Sequence, residues 1–258
     1  MQYSESDIIR FSKNLDDIFS SYGSIEKKIH ITWSNKTIIC KDYNIIKNGI
    51  LQLKILNPDY EFNIYNDNDV ESYLMSKLSN DDYELIKNKK IVEKTDLWRL
   101  LIIYYEGGIY QDIDRFCNIP LSKIITGNNI KCIIPTFYDV DFSQDIIISC
   151  SKNIFHKTAI DLNLERRRNN PNADILYLGP STYYNAITEI ILGIQIDRDP
   201  KDKQIMNVLR DILKNSKYLK TFREEPLYFT LLYRGSEIEF DKDKMYKNEN
   251  VIHWLNNK

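Results

Sequence analysis

Cysteine is scarce and scattered in this sequence. Its four thiols, Cys40, Cys117, Cys132 and Cys150, form no CxxC pair, which argues against a zinc or redox motif and for free thiols in a reducing compartment. An excess of one charge is missing too. The 35 basic and 37 acidic residues leave a net charge of -2, and the pI is about 6.0. Such a balance exerts no long-range pull on nucleic acid or an anionic membrane, so a phosphate-bearing ligand must be held locally. No run of about 20 apolar residues is present to span a bilayer. The opening Met1–Arg10 is polar and acidic, unlike a signal peptide. A cytoplasmic chain is expected on these grounds, in a host cytoplasm if the source is viral, and the Asn35-Lys36-Thr37 sequon then carries no glycan. Internal repeats, low-complexity tracts, a P-loop and a kinase-type glycine loop are all lacking, which leaves little room for phosphoryl transfer from ATP.

What is there reads as alternating helices and strands. The 258 residues fit one large α/β domain. Ile8, Phe11, Leu15, Ile18 and Phe19 recur at helical spacing behind Ser6-Asp7, a candidate N-cap. Lys28–Trp33 reads as a first strand. A helix marked by Ile45, Ile46, Ile50, Leu53 and Leu56 stops before Asn57-Pro58. Tyr60–Tyr65 alternates as a second strand, and Asp67–Leu78 and Asp81–Lys89 read as polar helices. A strong helix over Glu93–Glu106 closes at Gly107-Gly108. Strands are expected at Ile130–Pro135 and Asp145–Cys150, helices at Phe155–Arg168, Ser181–Leu192 and Lys203–Asn215, and a mostly extended tail through Leu227–Tyr233 and Val251–Leu255. This alternation predicts a mainly parallel, Rossmann-like sheet covered by helices, with ligands beyond the carboxyl ends of the strands.

The chemistry concentrates between Lys94 and Asp114. Asp96 and Arg99, three apart, share a helix face. Beyond the glycines the period changes to two, so that Ile109, Gln111 and Ile113 point one way and Tyr110, Asp112 and Asp114 the other. Two like carboxylates about 4 Å apart repel by roughly 4 kcal/mol in a partly buried cleft. A divalent cation reverses that sign, and oxygen ligands favour Mg²⁺ or Mn²⁺ over zinc. Such an ion suits a reaction in which negative charge grows on a departing diphosphate.

The whole segment resembles the DxD-containing glycosyltransferase family of the initiation-specific α-1,6-mannosyltransferase and capsular polysaccharide transferase type. It is also similar to the glucosyltransferase domain of large clostridial toxins. The matching residues are Asp96-Leu97-Trp98-Arg99, Gly107-Gly108-Ile109-Tyr110 and Asp112-Ile113-Asp114. Upstream, Lys28-Ile29-His30-Ile31-Thr32-Trp33 and Asn57-Pro58-Asp59-Tyr60 match; downstream, Gly179-Pro180-Ser181 and His253-Trp254 match more loosely. The likeness covers residues 27–120 well. Within it Gln111 stands where the family has an apolar residue, and the tail to Lys258 lacks the family's full ending.

The resemblance implies a GT-A fold over the whole chain: an N-terminal helical extension at 1–24, a donor-binding half at 27–120 and an acceptor-side half and tail at 121–258. It also implies a nucleoside-diphosphate sugar donor (UDP-linked hexoses first, GDP-mannose next), a glycan or protein acceptor, Mn²⁺ or Mg²⁺, and retention of anomeric configuration. Carried across, Asp114 would ligate the metal directly, and Asp112 would contact ribose and metal. Asp96 and Arg99 would hold the sugar and diphosphate, and Thr32, Gly107, Gly108 and Tyr110 would line the donor. Trp33 would stack on the base, a contact worth about 1–3 kcal/mol. His253 would complete the metal site, and Asp145 and Trp254 would approach the sugar or acceptor.

Blander readings stand beside these. Trp33 has an alternative as a core aromatic, Asp96–Arg99 as a surface pair and Asp145 as a strand-start carboxylate. Arg166-Arg167-Arg168 reads as a solvated helix end, with acceptor or phosphate binding as the alternative. His30 reads as a strand histidine and His156 as a helix-start residue. The rival function is a module that binds nucleotide sugars or glycans without turnover.

Overall fold

The computed structural model describes residues 3–34, 44–117, 119–127, 129–137, 141–142, 144–195, 203–223 and 229–231. Helix α1 (Glu5–Phe19) starts at Ser4 and not at the expected Ser6-Asp7: the Ser4 hydroxyl accepts the Asp7 N–H at 3.2 Å, and Asp7 Oδ2 accepts the Ser4 N–H at 3.1 Å. Asp7 is thus the third helical residue of a capping box. Strand β1 (Lys28–Thr32) follows, then α2 (Asn44–Leu56), β2 (Glu61–Tyr65) and α3 (Asp67–Lys77). Asn57 and Pro58 end α2 as expected, and the Asn57 amide donates to Leu53 O at 2.8 Å. Helix α4 (Asn80–Glu84) is shorter than the expected polar helix Asp81–Lys89, giving way to turns before α5 (Ile91–Glu106).

Strand β3 (Gly108–Gln111) leaves α5 through Gly107, whose φ of 64° lies in the left-handed region. Next come β4 (Arg115–Cys117), α6 (Leu121–Ile124), β5 (Cys132–Phe137), β6 (Asp141–Phe142) and β7 (Ile146–Ser149). The last helices are α7 (Ile154–Asn169), α8 (Ile175–Leu178), α9 (Pro180–Leu192) and α10 (Lys203–Asn215), followed by β8 (Leu219–Arg223) and β9 (Phe229–Leu231). The rest of the expected tail, including Val251–Leu255, lies outside the described residues.

Among the described residues, seven strands form one sheet in the order β2-β1-β3-β7-β5, with β6 and β8 also paired to β5. β1 is parallel to β2 and β3, and β5 is parallel to β8; β7 is antiparallel to both β3 and β5, and β6 to β5. Five of the seven strands therefore share one direction, the mainly parallel arrangement that the alternation predicts. Successive residues point to opposite faces, and the core divides accordingly. Tyr110, Cys132, Ile134 and Ile147 join the helices α1, α3, α5, α7, α9 and α10, while Ile109, Ile133, Ile146 and Ile148 join Ile29, Ile31, Trp33 and α2. No helix among the described residues is long and apolar enough to cross a membrane.

Candidate active site

Register places the chemistry. His30 of β1 pairs with Tyr110 of β3 in parallel, so Thr32, the last residue of β1, and Asp112, just past β3, lie at the carboxyl ends of neighbouring strands. Helix α5 leads into β3 through a tight glycine joint, which brings its first turns back over that same end of the sheet.

Arg99 is the hub. It is buried, with Nη2 3.0 Å from Asp96 Oδ1, Nη1 3.6 Å from Asp112 Oδ1, and Nη1 donating to Gln144 O at 3.0 Å. Its guanidinium also stacks 5.0 Å from the centre of the Tyr110 ring. The Tyr110 hydroxyl donates to Asp112 Oδ1 and also bonds the Thr32 side chain. Asp96 is 6% exposed, which rules out a solvated helix pair. Burial pushes its carboxyl up to about 6, against the pull of Arg99 and with a further push from Asp112.

The DxD segment itself corrects the alternation. β3 stops at Gln111, and Arg115 N–H donates to Asp112 O at 3.0 Å, so Asp112 to Arg115 form a turn. Turn chemistry overrides the period of two here, because aspartate is favoured at the first position of such a turn. Gln111 has a role in this: its amide crosses the turn to Arg115 O at 2.6 Å. Asp112 is one-third exposed, and Asp114 is buried.

Two carboxylates on one turn fit a hard cation that keeps water or phosphate oxygens in its other positions. Among the described residues no three His, Cys, Asp or Glu side chains come together. The orphaned Nε of Arg99, which finds no partner among the described residues, is a donor that a bound oxyanion would satisfy.

Other candidates fall out differently. Trp33 is 8% exposed and packs against the smaller core. Gly107 and Gly108 serve the joint: at φ 91°, a Cβ on Gly108 would overlap Lys28 O, so only glycine lets β3 pass β1 this closely. Asp145 accepts from the buried Arg115, with Nε at 2.6 Å, and its carbonyl takes the Asp112 N–H at 2.7 Å. It braces the DxD turn. The expectation of a solvated Arg166-Arg167-Arg168 end is wrong for two of the three, since Arg166 and Arg167 are buried and bonded. His253 and Trp254 lie outside the described residues.

Sequence reasoning missed Arg115 and Gln144. Arg115 carried a signal, as a cation directly after two aspartates, whereas a lone glutamine in a loop carries none.

Residues 30–131 match the model of a family described as the glycosyltransferase sugar-binding region containing the DXD motif. This segment is similar to that family. Two Schizosaccharomyces pombe proteins resemble the chain in the same sense. Inositol phosphoceramide mannosyltransferase 3 is 30% identical over 115 residues, 42% of this chain and 30% of that protein. Inositol phosphoceramide mannosyltransferase 1 is 24% identical over 159 residues, 58% of this chain and 48% of that protein. The chain thus spans less than half the length of either. Among solved structures, PaToxG Glycosyltransferase superposes with a TM-score of 0.53 at 20% identity, covering 82% of this chain and 85% of its own, a likeness of fold. The DXD region is the part that carries the hub around Arg99.

Proposed function

We propose that the chain is a metal-dependent, retaining glycosyltransferase that moves a hexose from a UDP- or GDP-linked donor to a glycan or protein acceptor. The observation that carries this reading is the convergence of Arg99, Asp96, Tyr110 and Asp112 beyond the strand ends, inside a segment similar to the DXD family. The names of both curated relatives weigh toward mannose as the sugar.

In this reading Arg99, already charged and held by Asp96 and the Gln144 carbonyl, meets the negative charge that develops on the leaving diphosphate. Its position is fixed before the reaction, so little reorganisation opposes it. Tyr110, itself bonded to Thr32, holds Asp112, and Trp33 at the end of β1 would stack on the base. A divalent ion at Asp112 and Asp114 would supply further charge stabilisation to the diphosphate. The acceptor hydroxyl would then attack on the face the leaving group departs from, a task of positioning that needs no strong base.

The test is nucleoside diphosphate release from UDP- and GDP-hexoses with Mn²⁺ or Mg²⁺, with and without acceptors. Asp114→Asn is expected to abolish metal-dependent turnover with the fold kept, as circular dichroism would check, and chelation of the wild type is expected to abolish turnover as well. Full turnover in that variant would sink the role given to Asp114. Donor binding without any turnover in the wild type would favour the binding module.

A further inference from the structure

We propose that Gly179, with the side chains of α7 that grip the chain around it, positions the Asp96 carboxylate and through it Arg99. This inference rests on the transferase reading for its meaning and on independent geometry for its support.

Two buried residues on one face of α7, Asn163 and Arg166, bond to the segment around Gly179, and a third, Arg167, holds Asn163 and reaches α5. Arg166 Nη1 donates to Tyr177 O at 2.7 Å and to Ser181 Oγ at 2.8 Å, and its guanidinium lies 4.1 Å from the centre of the Tyr177 ring. The Asn163 amide donates to Leu178 O. Arg167 Nε donates to Asn163 Oδ1 at 2.9 Å, and its Nη1 reaches Glu93 Oε1 at 3.1 Å, one turn before Asp96 on α5. From the other side, Thr182 Oγ1 donates to Gly179 O at 2.6 Å and Gln144 Nε2 reaches the same oxygen at 3.4 Å. A joint tied by this many buried polar bonds cannot drift without leaving several groups unsatisfied.

What the joint holds is a space. A Cβ on Gly179 would overlap Asp96 Oδ2, and it would stand 3.0 Å from Asp96 Cγ and 3.1 Å from Ile175 O. The φ of -100° at Gly179 is not left-handed, and the contact an added Cβ would meet first is the Asp96 carboxylate. The Asp96 carboxylate fills the place of the missing methyl, with its other oxygen 3.0 Å from Arg99. The neighbouring Arg167 charge favours the Asp96 anion from the α7 side. Gln144 ties both ends together, since its carbonyl holds Arg99 while its amide holds the joint.

The experiment is Gly179→Ala, examined by crystallography and by nucleotide-sugar turnover, alone and combined with Asp96→Ala. The added methyl is expected to push Asp96 off Arg99 and to lower turnover about a hundredfold, the size of effect for a misplacement of roughly 1 Å. With Asp96→Ala already in place the carboxylate is gone and only the 3.1 Å approach to Ile175 O remains, so Gly179→Ala should then change turnover by less than about twofold. Arg167→Lys keeps the charge but cannot span Asn163 and Glu93 together, and it is read the same way should Gly179→Ala not fold. An Asp96–Arg99 distance unchanged from 3.0 Å in the variant crystal, or an equal loss of turnover in both backgrounds, overturns the proposal. If the wild-type chain turns over no nucleotide sugar, the transferase reading fails by itself, and the crystal structures alone decide whether Gly179 positions Asp96.

Discussion

At the scale of single residues, the choice of arginine at position 99 is a matter of shape as well as charge. Its planar fork reaches Asp96, Asp112 and the Gln144 carbonyl at once and lies over Tyr110. A lysine keeps the charge but offers a single ammonium that cannot serve all of them. Arg99→Lys is therefore expected to lower kcat by about 10²–10³ while shifting stability little, because one charged donor of the preorganised site is misplaced. Arg99→Ala is the poorer probe. It strands the buried Asp96 carboxylate and is expected to cost roughly 3–5 kcal/mol in urea unfolding, which would confound a rate measurement. A kcat for Arg99→Lys within about twofold of wild type would count against the hub. Much of this hub was legible as spacing, since Asp96 and Arg99 had to share a helix face and Tyr110 and Asp112 had to point alike. Gln144 and Gly179 were not legible as parts of it, because their contacts to Arg99 and Asp96 close only through tertiary packing.

At the scale of elements, the joint between α5 and β3 depends on two consecutive glycines with φ of 64° and 91°. Gly108→Ala meets a strained backbone and a carbonyl of β1 together, so a loss of at least about 2 kcal/mol is expected in urea unfolding. Gly23→Ala makes the control: nothing lies within 4 Å of its Cβ position, and a change within about 0.5 kcal/mol is expected. Equal effects at the two sites would remove the steric argument. The glycine stop, β1, α2, α5, α7, α9 and α10 were legible because apolar period and terminating residues agree there. Alternation misread Asp112 to Arg115 because it cannot see a turn closed by a single backbone hydrogen bond. β8 was missed because Lys220 and Arg223 make Leu219–Arg223 look like a loop, although five residues pair it with β5. The arginine run was misread because charge runs at helix ends are usually solvated, and only the packing of α7 against α8, α9 and α5 buries two of the three.

At the scale of the whole molecule, the buried titratable groups set a pH dependence of stability whose direction can be worked out. Burial lowers His30 from 6.5 to about 4, partly opposed by its bond to Gly107 O, and lowers His156 to about 3. Between those values and 6.5 the unfolded chain binds more protons than the folded one, so stability is lost as pH falls through that window. Asp96 works the other way. Its carboxyl is raised from 3.8 to about 6, so the folded state holds the extra proton and gains as pH falls toward 4. Two histidines outweigh one carboxyl, and a net loss of about 2 kcal/mol is expected between pH 7 and pH 5. His156 offers a clean way to divide the effect. It stacks on Tyr183 with centroids 5.4 Å apart, and neither ring nitrogen has a partner among the described residues. His156→Phe keeps the ring while removing both the proton site and the unsatisfied nitrogens. It should raise stability at pH 7 by about 1 kcal/mol and cut the loss between pH 7 and pH 5 to under about 1 kcal/mol. Urea unfolding at the two pH values for both chains measures this directly. A variant that loses as much as the wild type on acidification would mean that His156 already carries its proton inside the fold, and that the core on this face of the sheet is wetter than its packing implies.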